Sequence, residues 1–105
     1  MPRKELAKRL KIARQELGIS QFELGVKVGV DEATAKSRIS HYENAVNVPT
    51  LATFQKLAIA LEKPLSWFLC REDELDLLNM LYKLDEGKRA ILLASILKVL
   101  QDNKL

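Results

Sequence analysis

Apolar residues recur at three- and four-residue intervals through most of this chain, which is the spacing that predicts amphipathic α-helices. The first such stripe comprises Leu6, Leu10, Ala13 and Leu17. Gly18 follows the stripe and predicts the end of that helix. Ser20 and Glu23 have the spacing of a capping box. A second helix is therefore expected to begin at Gln21 and to end at Gly29 after about two turns.

A third helix carries the clearest division between an apolar and a polar face. Gly25, in the second helix, predicts that another helix approaches closely there, because glycine has no Cβ. Asp31 is expected to cap the third helix, and its inner stripe is Ala35, Ile39 and Tyr42. The opposite face holds the uncharged polar residues Ser37, Ser40, His41 and Asn44. Lys36 and Arg38 flank it on either side, which suits base contacts at the centre and phosphate contacts at the margins; a solvated face is the alternative.

Two further elements are expected to complete the core of the N-terminal part. Thr50 can cap a fourth helix with the inner stripe Leu51, Phe54, Leu57, Ala58 and Leu61. Pro64 prevents its continuation. A short fifth helical turn should then place Trp67 against the core, rather than leave it free to stack on a ligand.

The last third of the chain predicts two long helical stretches, Glu72 to Leu84 and Glu86 to Asp102, joined into a helical hairpin around Asp85. Both carry apolar arcs wider than the roughly 100° stripe of an ordinary surface helix. One hairpin neighbour cannot cover both arcs, so we expect a homodimer. The predicted dimer contacts are Leu78, Leu81, Leu92, Leu93, Ile96, Leu97 and Leu100.

The predicted fold is therefore all-α, with a five-helix domain over residues 1–70 and a C-terminal helical hairpin over residues 71–105. Charge follows the same division, since eleven Lys and Arg oppose seven Asp and Glu up to Leu69, and six oppose seven beyond it. The positive N-terminal part is suited to a polyanion. Cys70 is the single cysteine, expected to be a half-buried thiol, and no Cys or His cluster has metal-ligand spacing, so no cofactor is expected. No apolar run is long enough to span a membrane, so we expect no membrane partner and a cytoplasmic protein.

A glycine turn between two helices is the general helix-turn-helix arrangement. Five ordered segments add specificity: Leu17-Gly18-Ile19-Ser20-Gln21-Phe22-Glu23-Leu24, Val28-Gly29-Val30, Ile39-Ser40-His41-Tyr42-Glu43, Pro49-Thr50-Leu51 and Leu57-Ala58-Ile59-Ala60-Leu61. With them, the stretch from about Leu6 to Leu69 resembles the Xre family of phage-repressor and Cro-like DNA-binding domains. The resemblance implies a repressor-like five-helix domain that binds double-stranded DNA, with its third helix reading the operator.

The resemblance also implies individual roles. Gln21 would contact a phosphate or hold a base-contacting side chain. Base and phosphate contacts would fall at Lys36, Ser37, Arg38, Ser40 and His41, and chemistry adds that Asn44 and Asn47 could donate to phosphate. For His41, simple exposure, a pH switch and a metal ligand are the alternatives to a DNA contact. The lysines of the first helix fit a solvated face better than a groove contact.

Three departures from the family pattern affect these expectations. Gly29 and Glu43 are about four residues further apart than usual, which lengthens the turn or the start of the third helix. Ala45 stands where glycine is common, and a positive φ there would cost about 1 kcal/mol. Gly25 replaces alanine in the second helix, which keeps the close approach but weakens the helix by roughly 0.5 to 1 kcal/mol.

The functional hypothesis is a dimeric repressor that occupies an inverted-repeat operator, although activation is compatible with the same sequence. The alternative is an antitoxin-like or other protein-interaction module whose C-terminal hairpin binds a different protein. An enzyme is the least favoured class, because the chain has no phosphate loop, glycine-rich fingerprint or catalytic constellation.

Overall fold

The computed structural model describes residues 3–103 of the chain. Seven α-helices occupy this range: α1 (Arg3–Leu17), α2 (Gln21–Lys27), α3 (Glu32–Glu43), α4 (Leu51–Ala60), α5 (Leu65–Leu69), α6 (Glu72–Lys83) and α7 (Glu86–Asn103). No strand occurs within it, and the all-α prediction is confirmed. The chain divides into two compact units, Met1–Leu69 and Cys70–Leu105. This division falls one residue before the predicted domain boundary.

Side-chain caps start two of the five N-terminal helices as predicted. Ser20 Oγ accepts the Glu23 N–H at 3.0 Å, and the Glu23 carboxylate accepts the Ser20 N–H at 3.2 Å, which confirms the capping box. Thr50 Oγ1 likewise accepts a backbone N–H of α4, at 3.2 Å. Asp31 is the N-cap residue of α3, as predicted, but its side chain makes no capping bond. Its backbone carbonyl instead accepts the Thr34 N–H at 3.0 Å.

The core of the first unit lies where the inner stripes of α1, α3 and α4 meet the rings of α5. The Phe68 ring packs edge-to-face on Phe54 at 5.3 Å and on Trp67 at 5.0 Å between ring centroids. Trp67 is buried, so its predicted packing role is confirmed. The prediction that Leu51 joins the inner stripe is wrong, since Leu51 is the first residue of α4 and is 66% exposed.

A buried cation, which the apolar stripes did not predict, joins the first helix to the fifth. Arg9 lies fully inside the first unit. Its Nη1 donates to the carbonyl oxygens of Trp67 and Phe68, each at 3.2 Å, and its Nε lies 3.3 Å from the Glu5 carboxylate. The guanidinium thus satisfies carbonyls at the end of α5 that the helix leaves unpaired. This contact fixes α5 against α1 and closes the core.

The second unit consists of α6 and α7, joined by Leu84 and Asp85. The Arg89 guanidinium lies 4.9 Å from the centroid of the Tyr82 ring, which links the two helices. Along α7, every position from Glu86 to Asp102 except Arg89 is exposed. The apolar arc of α7 is therefore not covered within the second unit.

The structure separates the predicted dimer residues into two groups. Those on α7 are exposed: Leu92, Leu93, Ile96, Leu97 and Leu100. On α6, Leu78 is half-buried, and Leu81 is only 8% exposed. Because the chain already buries Leu81, that side chain is not available to a second copy, and the exposed large apolar residues of α6 are instead Leu77, Met80 and Tyr82.

Candidate nucleic-acid interface

One side of helix α3 is buried in the core, and the opposite side is exposed to solvent. Its inner residues Ala35, Ile39 and Tyr42 are buried in the core. The outward side chains of Lys36, Ser37, Arg38 and His41 are exposed, and Ser40 is half-buried. None of the four exposed residues contributes to the core, so their hydrogen-bonding groups can face a ligand.

The crossing of α2 and α3 is as close as the glycine in α2 predicts. A Cβ built on Gly25 would lie 2.7 Å from Ala35 Cβ and 2.8 Å from the Ala35 carbonyl oxygen. Real Cβ atoms do not approach other atoms so closely, so only glycine fits without a shift of one helix. The predicted close approach is confirmed, and it sets how far α3 stands from α2.

A buried ion pair connects α1 to the end of α3. The Arg14 Nε lies 2.6 Å from Glu43 Oε2, and Arg14 Nη2 donates to Glu43 Oε1 at 3.0 Å. The Glu43 side chain is 2% exposed and that of Arg14 is 13% exposed. Arg14 Nη1 also donates to the carbonyl oxygen of Ile19, at 2.9 Å. This two-point pairing fixes the orientation of both side chains as well as holding the helices together.

The Glu43 carboxylate also accepts a hydrogen bond from Gln21, the first residue of α2. Gln21 Nε2 donates to Glu43 Oε1 at 3.2 Å. An amide nitrogen carries two hydrogens, so the second remains for an acceptor such as a phosphate oxygen. Local spacing could not reveal this cluster, because Glu43 lies 29 residues from Arg14 and 22 from Gln21.

Two grooves run along the flanks of α3, and each contains one of its cations. The first, which we call the Lys36 groove, has a volume of about 510 Å³ and is lined by Lys11, Arg14, Ser20, Gln21, Phe22 and Lys36. The second, the Arg38 cleft, has a volume of about 310 Å³, and its lining includes Arg38, Lys56, Tyr42 and Asp31. The structure thus places Lys36 and Arg38 on opposite flanks, as their spacing predicts.

Three groove residues were missed by sequence reasoning. The sequence pattern indicates no role for Phe22 and favours a solvated face for Lys11, and Lys56 lies on the fourth helix rather than on α3. The periodicity of α4 does place Lys56 off its apolar stripe. Only the tertiary structure shows that Lys56 shares a cleft with Arg38.

Hydrogen bonds within the chain decide what several candidate residues can still offer. Ser37 Oγ donates to the Thr34 carbonyl at 3.1 Å, so the Ser37 oxygen remains as an acceptor. Asn44 Nδ2 donates to the Ser40 carbonyl at 2.8 Å and to Ser40 Oγ at 3.2 Å. Asn44 and Ser40 therefore bond to each other, and the nitrogen that Asn44 would offer a phosphate is already engaged.

The loop after α3 has the strained turn that its sequence suggested. Ala45 has a φ of 59°, so the positive φ that would be costly there is present at this non-glycine residue. The carbonyl of His41 accepts the Val46 N–H at 2.9 Å and the Asn47 N–H at 3.3 Å, which folds the loop back onto the helix end. The side chains of His41 and Asn47 remain exposed beside this turn.

No helix between residues 3 and 103 has the length and apolar character needed to cross a membrane. In the same part of the chain, no three His, Cys, Asp or Glu residues are grouped so that they could hold a metal ion. Cys70 is half-buried, as predicted.

Comparison with known proteins gives three kinds of match. A helix-turn-helix family model matches residues 10–68. Antitoxin HipB of Escherichia coli strain K12 is 42% identical over 66 residues, covering 63% of this chain and 68% of the relative. HipB of Escherichia coli O6:H1 strain CFT073 is 41% identical over 66 residues, covering 63% of this chain and 64% of the relative, less than two thirds of its length. The crystal structure of transcriptional regulator BswR matches with a TM-score of 0.78 and 35% identity, covering 91% of this chain and 96% of that one.

The matches to BswR and to HipB cover different lengths of this chain. A match over 91% of the chain is longer than Met1–Leu69, so the similarity to BswR includes helices of the second unit. The 66 residues shared with HipB are no longer than the first unit. The similarity to the regulator therefore extends over more of this chain than the similarity to the antitoxin.

Proposed function

Because this chain belongs to the Xre-like helix-turn-helix family of DNA-binding proteins, we propose that it is a sequence-specific regulator whose α3 reads an operator in the major groove. The family consists of DNA-binding proteins, not enzymes. The observation that carries the proposal is the two-sided character of α3, with a buried apolar side and an exposed polar side flanked by a cation in each groove.

The exposed side of α3 has the chemistry needed to distinguish bases. Lys36 or Arg38 can donate to the O6 and N7 acceptors of guanine. The Ser37 oxygen is restricted to accepting, so it suits the amino group of adenine or cytosine. His41 can donate or accept according to its tautomer. Cations in both grooves would neutralise phosphates of the two strands, so affinity should fall steeply as salt rises.

A dimer would explain the uncovered arc of α7. Two copies paired through this arc would place their α3 helices in successive major grooves, roughly 34 Å apart. The operator would then be an inverted repeat. The protein would act in the cytoplasm, where its binding to a promoter would repress transcription. The similarity to BswR, a transcriptional regulator, supports a regulatory role for this chain, and the similarity extends beyond the first unit.

Selection of bound sequences from random oligonucleotides, followed by competition binding, tests the proposal. We expect an inverted repeat with half-sites one helical turn apart. Replacing Ser37, Arg38 and His41 by alanine should abolish preference for this operator and leave the dimer intact. A matched triple variant, with alanine at the exposed polar residues Gln15, Gln55 and Ser66, should retain the preference. An unchanged preference in the first variant would refute the assignment of α3.

A second function is favoured by the 42% identity to antitoxin HipB. In that case the exposed arc of α7 would bind a different protein, such as a toxin, while the first unit still binds DNA. Sedimentation of the purified chain distinguishes the two proposals. A stable dimer supports the homodimeric regulator, whereas a monomer that aggregates through exposed α7 and becomes soluble with a partner supports the antitoxin.

A further inference from the structure

Phe22 is an exposed aromatic residue in a groove that is otherwise polar and basic. It is 42% exposed and lies beside Gln21 at the start of α2. The other residues that line the Lys36 groove are all hydrogen-bonding or cationic: Lys11, Arg14, Ser20, Gln21 and Lys36. An apolar ring at this place loses stabilisation by facing water, so a partner that covers it would gain affinity.

The core does not require this ring. The inward residues of α2 are Leu24 and Gly25, and both are buried. Among the residues that the structure describes, the aromatic pairs join Phe68 to Phe54 and to Trp67, and Phe22 belongs to neither. Its position is nonetheless fixed, because the capping box starts α2 at Ser20 and Glu43 holds the neighbouring Gln21.

We propose that Phe22 is a specificity-determining residue that packs against the C5 methyl group of a thymine in each half-site. This inference depends on the proposed function, since it assumes that α3 lies in the major groove. The thymine methyl is the apolar group that base pairs present there, and a phenylalanine ring is a suitable contact for it. Lys11 and Gln21 in the Lys36 groove would hold phosphates, and Phe22 would add the recognition of a thymine to the base contacts of α3.

A protein partner is the competing occupant, because Val26 lies one turn further along α2 and is also exposed. The charge of the groove favours DNA. Lys11 and Lys36 line it with their charges uncompensated by any acidic lining residue, while the charge of Arg14 is paired with Glu43. Lysine is depleted in the cores of protein interfaces, whereas a basic surface beside the recognition helix matches a phosphate backbone.

Deoxyuridine scanning tests the proposal, because replacing thymine by deoxyuridine removes only the methyl group. In the selected operator, each symmetric pair of thymines is replaced in turn, and the dissociation constant is measured for the full-length protein. Wild type should lose about fourfold in affinity per half-site at one position, the value expected for one buried methyl group. Phe22→Ala should bind the thymine and deoxyuridine operators equally at that position, while Phe22→Leu, which stays apolar, should keep a penalty.

Val26→Ala is the matched control, and it should keep the full penalty at the same position. The circular dichroism spectrum of each variant verifies folding, and Phe22→Gln provides a second polar variant if Phe22→Ala is unstable. The proposal is overturned if no thymine position is sensitive in wild type, if Phe22→Ala and Phe22→Gln keep the penalty, or if Phe22→Ala changes sedimentation instead. Absence of any selected operator for wild type would contradict the proposed function itself.

Discussion

At the scale of single residues, Glu43 connects three helices of the candidate interface. Its carboxylate pairs with Arg14 from α1 and accepts the Gln21 amide from α2, while Glu43 itself ends α3. Three helices are thus oriented by one buried charge. Removal of one partner from such a pair leaves the other charge uncompensated, which is more destabilising than the pair is stabilising.

Glu43→Gln should lower the free energy of unfolding by about 3 kcal/mol, because Arg14 would stay largely buried without its counter-charge. Urea denaturation measures this loss. The matched control is Glu16→Gln, which breaks the ion pair between Glu16 and Lys63. The Glu16 side chain is 52% exposed, so that change should cost less than about 1 kcal/mol. Equal losses in the two variants would contradict the role assigned to Glu43.

Ala45 offers the opposite kind of change, in which a substitution should stabilise the fold. Its φ of 59° is unfavourable for a residue with a Cβ. Ala45→Gly should raise the free energy of unfolding by about 1 kcal/mol. Ala52→Gly, at an exposed position in the first turn of α4, should lower it by less than about 1 kcal/mol. Thermal denaturation of both variants checks the signs, and a destabilised Ala45→Gly protein would argue against strain at this turn.

At the scale of elements, the crossing of α2 and α3 determines where the recognition helix stands. Gly25→Ala should gain about 1 kcal/mol of helix propensity but lose more to the collision with Ala35. The net effect should be a loss of about 1 to 2 kcal/mol, with weaker operator binding because α3 must move. Gly87→Ala is the control, since the nearest atom to its added Cβ is Asp85 Oδ1 at 3.5 Å. That variant should be at least as stable as wild type.

The sequence predicted those features of the elements that depend on neighbours along the chain. The capping box at Ser20 and the cap at Thr50 are local patterns, and both are present. Asp31 has the right identity for a cap but not the bond, because another arrangement of the same turn satisfies α3. Leu51 has apolar character and a stripe position, yet it starts its helix outside the core.

Features formed by distant residues were not predictable from spacing. Arg9 bonds to carbonyls 58 and 59 residues away, and Arg14 pairs with a carboxylate 29 residues away. Helical periodicity places a side chain on a face, but it does not say which distant group meets that face. The two flanking cations were predictable, whereas the grooves they line required the packing of α1, α2 and α4 around α3.

At the scale of the whole molecule, the chain divides into a unit that carries the candidate interface and a unit with uncovered apolar surface. We propose that the second unit brings two DNA-binding units together. Linked binding to two half-sites raises affinity by two to four orders of magnitude without new contacts. The dimer surface should therefore control operator affinity.

Leu97→Lys tests this proposal in the full-length chain. Leu97 is 57% exposed within the apolar arc of α7, so a charge there should dissociate the dimer and weaken operator binding about 100-fold or more. Ile91→Lys is the control, because Ile91 is 71% exposed but lies on the opposite side of the helix from the arc. Sedimentation and operator binding report the two effects, and a dimeric Leu97→Lys protein would exclude this surface.

Deletion of residues 72–105 is a second test of the proposal that the second unit forms the dimer. The first unit has its own core and its own capped helices, so the shortened chain should be a folded monomer with much weaker operator binding. Circular dichroism establishes the fold and sedimentation the mass. A shortened chain that is still a dimer would place the dimer contact in the first unit.

The two sides of α3 have a consequence for how such regulators diverge. Ala35 and Ile39 maintain the fold from one side of the helix, while Ser37 and His41 project from the other without supporting it. After gene duplication, changes at Ser37 and His41 would alter promoter choice at almost no cost in folding. Two daughter proteins could then regulate separate genes after a few mutations, and every intermediate variant would still fold.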